Sequence, residues 1–159
     1  MKTLHVIHID KNLPGDIFVK IISIEFNLTR LSIGNLIVEQ IHKWTELGAD
    51  LEKELASGNL LQIETIEKIL KDELINNNHN GILLYSYPRT QAQLNSLKQL
   101  LLKYNFSIER IWYFKTPKNA ATKGLEISEI PETEMTIIEI NEPDEITEDK
   151  IKKIIKSYT

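Results

Sequence analysis

The chain has 159 residues, 42% of them hydrophobic and 26% charged, a length that fits one domain with an ordinary core and excludes a mini-protein that needs cross-links to fold. The absence of cysteine excludes disulfides, thiolate zinc sites and cysteine nucleophiles together, and fits a reducing compartment. A formal net charge of −4 argues against nucleic acid as a partner.

Leu4 to Ile9 is a short apolar run that reads as a strand, followed by a loop at Asp10-Lys11-Asn12-Leu13-Pro14-Gly15. The run is too short for a signal peptide, and no other apolar stretch approaches the roughly 18 residues of a membrane span. The expectation is therefore a cytoplasmic chain with no membrane partner. A helix should follow the loop, with Asp16 as its cap and Ile17, Phe18, Ile21, Ile22 and Phe26 as its apolar stripe. Leu28 to Ile33 reads as a second strand. Gly34-Asn35 then opens a helix with Leu36, Ile37, Gln40, Ile41 and Trp44 along one side, and Trp44 is expected in the core.

A shorter helix, about Ala49 to Ser57, ends at Gly58, and Gln62 to Ile75 repeats the helical period. Ile82-Leu83-Leu84-Tyr85 is the fully apolar run of a central parallel strand, stopped by Pro88. Thr90 to Lys103 reads as a helix and Ile108 to Phe114 as a strand, whereas Lys115 to Pro131 has no clear period. Met135 to Ile140 is strand-like, and Thr147 to Tyr158 is a helix with acids early and lysines late. This alternation implies an α/β three-layer sandwich with a mainly parallel sheet and right-handed crossovers.

Charge is uneven along the chain. Ten acidic residues and no basic one lie between Glu126 and Asp149, and the only arginines are Arg30, Arg89 and Arg110.

At Leu31-Ser32-Ile33-Gly34-Asn35-Leu36 and at Gly81-Ile82-Leu83-Leu84-Tyr85-Ser86-Tyr87-Pro88-Arg89-Thr90 the sequence resembles the adenylate kinases. Family members usually carry Ile-Ser-Thr-Gly-Asp-Leu at the first place and Gly-Phe-Leu-Leu-Asp-Gly-Phe-Pro-Arg-Thr at the second. Between them, Glu46-Leu47-Gly48 and Ser57-Gly58-Asn59-Leu60-Leu61 look like the family's nucleoside-monophosphate-binding insertion. The resemblance covers about Met1 to Pro117, and the last strand and helix look like the family's C-terminal end. It implies one P-loop-NTPase-like domain over residues 1–159. A small helical insertion at about 34–75 would belong to it, with a short loop at 115–131 where the family carries a helix and a lid.

The resemblance also implies a residual AMP half-site made of Gly34, Leu60, Leu61, Arg89 and Gln93, with Gln93 where the family reads adenine. The rest of the chemistry is depleted. Phosphoryl transfer needs a phosphate cradle, a lysine, a magnesium-organising carboxylate and several arginines. The stretch standing for the P-loop, Lys11, Asn12, Leu13, Pro14, Gly15 and Asp16, has one glycine, and the Asp16 charge would repel a phosphate at that helix N-terminus. Neither Lys11 nor Lys20 stands at the motif's lysine position. The family's strand carboxylate is Tyr85 here, which is no anion at neutral pH. Its first-motif threonine and aspartate are Ile33 and Asn35, its following arginine is Val38, and no arginine lies beyond Arg110.

Several residues keep two readings. Arg89 either holds an AMP phosphate or belongs to a strand-to-helix junction. Tyr85, Tyr87, Tyr113 and Trp112 either line an aromatic pocket or plug the vacated site. His5 and His8, three apart on a strand, point to opposite faces and form no metal site. His42 and His79 read as surface residues. The acidic stretch is either a solvated face or a surface for a basic partner.

Three functional readings follow from the resemblance and its gaps. The first is a pseudoenzyme, a non-catalytic binding or assembly module with no catalytic residue, metal or cofactor and with a protein partner. The second is an AMP or nucleotide sensor built on the surviving half-site. The third is a weak or divergent nucleoside monophosphate kinase that takes Mg-ATP and AMP to ADP. The sequence leaves the oligomeric state open.

Overall fold

The computed structural model describes residues 1–58, 61–85, 87–117 and 130–159. Five strands, β1 (Lys2–Ile9), β2 (Thr29–Ser32), β3 (Gly81–Tyr85), β4 (Phe106–Lys115) and β5 (Thr136–Glu139), form one sheet in the order β2-β3-β1-β4-β5. Every pairing is parallel. Strands β1 and β3 are covered on both faces, which is why they read as apolar runs and not as alternating ones. In the register of β1 with β3, Thr3 opposes Gly81 and Ile7 opposes Tyr85, so both strands deliver their following loops to the same edge.

Helices α1 (Gly15–Glu25) and α6 (Glu148–Lys156) cover one face, where Phe18, Ile22, Ile151 and Ile155 pack with Trp112 and Phe114. Helices α2 (Ile33–His42), α3 (Glu46–Ala56), α4 (Ile63–Asn76) and α5 (Gln91–Lys103) gather over the other face around Leu51, Ile69, Leu94 and Leu97. The result is the expected three-layer α/β sandwich. Each fully buried side chain of this kind contributes about 1.5–3 kcal/mol, so the two apolar clusters fix where the layers sit.

Local chemistry sets the helix starts. Ser32, Thr45, Thr90 and Thr147 are N-caps whose hydroxyls accept from the backbone N–H of Asn35, Gly48, Gln93 and Lys150. The Thr45 cap starts α3 at Glu46, three residues before the expected Ala49. Asp16 is not a cap: α1 begins at Gly15 after Pro14, with no side-chain cap bond. A Cβ on Gly48 would stand 2.3 Å from the Gln40 carbonyl oxygen, so α2 and α3 meet only because that position has no side chain.

Two expectations about burial are corrected. Trp44 lies outside the core, 91% exposed, because α2 ends at His42 and Trp44 follows with φ at 54°, off the helical stripe. His79 is not a simple surface residue, since its Nε2 lies 2.7 Å from Glu73 Oε1 with both side chains largely buried. Most of the expected 115–131 loop, residues 118–129, falls outside the described residues. Among the described residues no helix is long and apolar enough to cross a membrane.

Candidate functional site at the carboxyl edge of the sheet

A parallel α/β sheet binds ligands in the crevice beyond the carboxyl ends of its strands. In this chain that edge is formed where β1 passes into the Lys11–Asp16 loop, β2 into Gly34, β3 into the segment leading to Arg89, and β4 into Thr116. Asp10, the first residue after β1, is 1% exposed. Its carboxylate accepts from the Thr116 backbone N–H at 2.7 Å and from the Tyr113 hydroxyl at 3.2 Å. Burial, with the Asp10 charge and hydrogen bond adding to it, pushes the Tyr113 phenol up to about 12. The buried anion is therefore engaged in stapling the β1 loop to the end of β4. Sequence reading passed over Asp10; its one signal was a carboxylate placed directly after an apolar strand.

Within the loop, Leu13 is buried among the α1-side residues and its N–H bonds to the Asp10 carbonyl at 3.0 Å. Lys11, Asn12 and Asp16 are exposed, with Pro14 and Gly15 between. Over this turn lies Tyr85. Its hydroxyl is 3.5 Å from where a Cβ on Gly15 would stand, so the tip of the phenol reaches the first residue of α1. Asp16 sits in that same turn, and its carboxylate offsets the positive end of the α1 dipole.

The four aromatic residues do not share a pocket. Trp112 is fully buried on the α1 and α6 side, 5.9 Å from Phe114 and 5.4 Å from Tyr158 between ring centroids. Tyr87 is buried on the opposite face, and burial with the nearby Glu67 charge raises its phenol to about 12. Tyr113 serves Asp10, and Tyr85 covers Gly15. Arg110 is also committed, lying 4.8 Å from the Trp112 ring and donating to the Tyr158 carbonyl.

The half-site residues are placed as follows. Arg89 is exposed, and its backbone N–H donates to the Gln93 side-chain oxygen at 2.8 Å. Gly34 is exposed in the first turn of α2, and among the described residues nothing lies within 4 Å of where its Cβ would stand. Because Ser32 opposes Tyr85 in the sheet, the start of α2 shares the edge with Arg89. Leu61 packs against the α2 to α5 cluster, and Leu60 lies outside the described residues. His8 and His5 do point to opposite faces. His8 is fully buried near the Pro88 carbonyl and Arg89, neither ring nitrogen has a hydrogen-bond partner among the described residues, and burial pushes it down to about 4. His5 accepts from the Trp112 indole N–H at 3.1 Å, which leaves its proton on Nε2, toward Glu109.

Beside the Lys11–Asp16 loop, a cavity of about 270 Å³ is bounded by Asn12, Thr116 and Asn141 together with Glu142, Asp144 and Glu145. Part of the acidic stretch thus lines this edge of the sheet and is not only a solvated face.

Residues 17–159 match the family model for adenylate kinase. The chain belongs to the adenylate kinase family. It is similar to the adenylate kinases of Francisella tularensis subsp. novicida (strain U112) and subsp. tularensis (strain SCHU S4 / Schu 4), each 37% identical over 91 residues. It is also 36% identical over 91 residues to that of Francisella philomiragia. In each case the matched stretch is 57% of this chain and 42% of the relative, so it spans about two-fifths of the adenylate kinases it resembles. The family match begins at Ile17, just after Lys11–Asp16.

Proposed function

We propose that this adenylate-kinase-family chain is a non-catalytic binding or assembly module. The observation that carries the reading is the Tyr85 hydroxyl over Gly15, with Asp16 in the same helical turn. A phosphate cradle needs open backbone N–H groups and an uncompensated positive helix end. Here the tip of a phenol reaches the first residue of the helix and a carboxylate answers the dipole. The arginines add support. Removing one transition-state arginine from a phosphoryl-transfer site can cost roughly 10³ to 10⁵ in rate, and in this chain Arg110 is held by Trp112 and Tyr158. The acidic cavity beside the loop disfavours a polyphosphate further.

In this reading residues 1–159 form one domain, with a monophosphate-binding-like insertion at about 34–75, a short segment at 115–131 in place of a lid, and a cytoplasmic location. It uses no metal or cofactor, and its partner is another protein.

The open space at Gly34 favours a second reading, an AMP sensor. No contact among the described residues requires glycine there, and the exposed Arg89 shares that edge. The kinase alternative would need Lys11 or Lys20 to act on Mg-ATP, and the Lys20 ammonium pairs with Glu148 at 3.5 Å. Calorimetric titration with AMP and with ATP, each with and without magnesium, separates the readings. The module predicts no heat from either nucleotide. Saturable AMP binding lost in Arg89→Ala would replace the module with the sensor.

A further inference from the structure

Trp44 is the most exposed large apolar side chain among the described residues, at 91%, and no ring contact or hydrogen bond of its side chain accompanies it. Its backbone is in the left-handed region, φ 54°, where a bulky residue is an outlier. Among the described residues the other non-glycine residues there are Asn27 and Asn105, a residue type that tolerates this conformation. Both the exposed indole and its backbone are therefore unfavourable within the monomer.

The corner that presents Trp44 is rigid. The Thr45 hydroxyl caps α3 at the Gly48 N–H, at 2.9 Å, and bonds to the Gln40 side-chain oxygen at 3.0 Å. The Gln40 amide in turn donates to Asp72 on α4. Val38, 52% exposed, adds a second apolar group on α2. A rigidly held tryptophan loses little freedom on docking and is the residue type that most often anchors an interface.

The chain also carries a receptor for it. Leu101, Leu102, Phe106 and Ile108, with Lys98 and Ser107, line a groove of about 240 Å³ between α5 and the start of β4. A cavity of roughly 150 Å³ lined by such side chains takes up benzene, so this one has room for an indole. Leu102 is 63% exposed. Lys98, whose ammonium pairs with Glu134, contributes its alkyl stem to the wall. The flanking charges are opposite as well. Glu46 lies two residues from Trp44 and Lys103 follows Leu102; both are exposed, and neither is in an ion pair among the described residues.

We infer that the α2–α3 corner is a self-association surface on which Trp44 of one copy docks into the Leu102–Phe106 groove of a second copy. This goes beyond the non-catalytic reading and is independent of nucleotide binding. Because the two surfaces are different patches, association either closes reciprocally into a dimer or extends head to tail.

Sedimentation of the full chain across a concentration series tests it, with tryptophan emission recorded on the same samples. The expected result is a mass that rises above the monomer with concentration, with a blue shift as the Trp44 indole leaves water. Trp44→Asn and Leu102→Glu should each be monomeric, and Trp44→Asn should melt no lower than the parent because asparagine suits the backbone there. An equimolar mixture of the two variants should associate again, since each retains the surface the other lacks. A constant monomer mass with red-shifted Trp44 emission would overturn the inference. So would association that survives Leu102→Glu, or a mixture that stays monomeric.

Discussion

The side-chain oxygen of Gln93 accepts a hydrogen bond from the backbone N–H of Arg89 at 2.8 Å. The Thr90 hydroxyl meanwhile accepts from the Gln93 N–H, so the two residues resemble a capping box displaced by one position at the start of α5. Gln93, expected as a base reader, thus has an internal partner. Gln93→Ala should lower stability by about 1 kcal/mol. Gln93→Glu keeps the acceptor and adds a charge suited to the helix N-terminus, so it should retain the parent stability. Chemical denaturation of the two variants against the parent checks the pair.

Buried His8 makes stability depend on pH. The folded imidazole is pushed down from 6.5 to about 4 by burial, while the unfolded one titrates near the ordinary value. Between these two values the unfolded chain binds a proton that the folded chain does not, so stability rises with pH across that window. The contribution is complete above pH 6.5 and is lost as pH falls through about 4, amounting to about 3 kcal/mol. His5, also lowered by burial although Glu109 opposes the shift, acts in the same direction. His8→Leu should flatten the slope of unfolding free energy between pH 4 and 6.5, which denaturation at stepped pH would show.

Two glycines should respond oppositely to alanine. Gly48→Ala drives a Cβ to 2.3 Å from the Gln40 carbonyl oxygen, a backbone atom that cannot rotate away, and is expected to cost about 3 kcal/mol. Gly34→Ala meets open space and should leave stability within about 1 kcal/mol of the parent. Thermal melts of the two variants give the comparison. If AMP binds at all, Gly34→Ala is also the variant that weakens it without disturbing the fold.

Tyr85 and Asp16 define the closed anion site. Removing both obstacles, as Tyr85→Ala with Asp16→Asn, should raise affinity for inorganic phosphate above the parent's, because α1 then presents an open and uncompensated N-terminus. Tyr85→Phe takes away only the hydroxyl nearest Gly15 and should raise affinity less than the double change. Phosphate titration followed by amide chemical shifts would rank the three proteins.

The sheet was legible because a parallel strand buried on both faces is mostly apolar, as in Ile82 to Leu84 and, interrupted only by His5 and His8, in Leu4 to Ile9. The starts of α5 and α6 were legible at Thr90 and Thr147, whereas the one N-cap named from the sequence, Asp16, is not a cap. The α3 start was not legible, because Gly48 reads as a breaker until the close α2–α3 crossing is known. Trp44 was misplaced because a 3.6-residue period carries no mark of where the helix stops. Arg89 and Gln93 could be named but their mutual bond could not, and Asp10 escaped because its partners Tyr113 and Thr116 lie more than 100 residues away.

The most direct test is ³¹P NMR of the purified chain incubated with ATP, AMP and magnesium, beside a sample without protein. The account predicts no ADP above that control. ADP formation that scales with protein concentration and is abolished by Lys11→Ala or Lys20→Ala would contradict it and establish a working phosphoryl-transfer site.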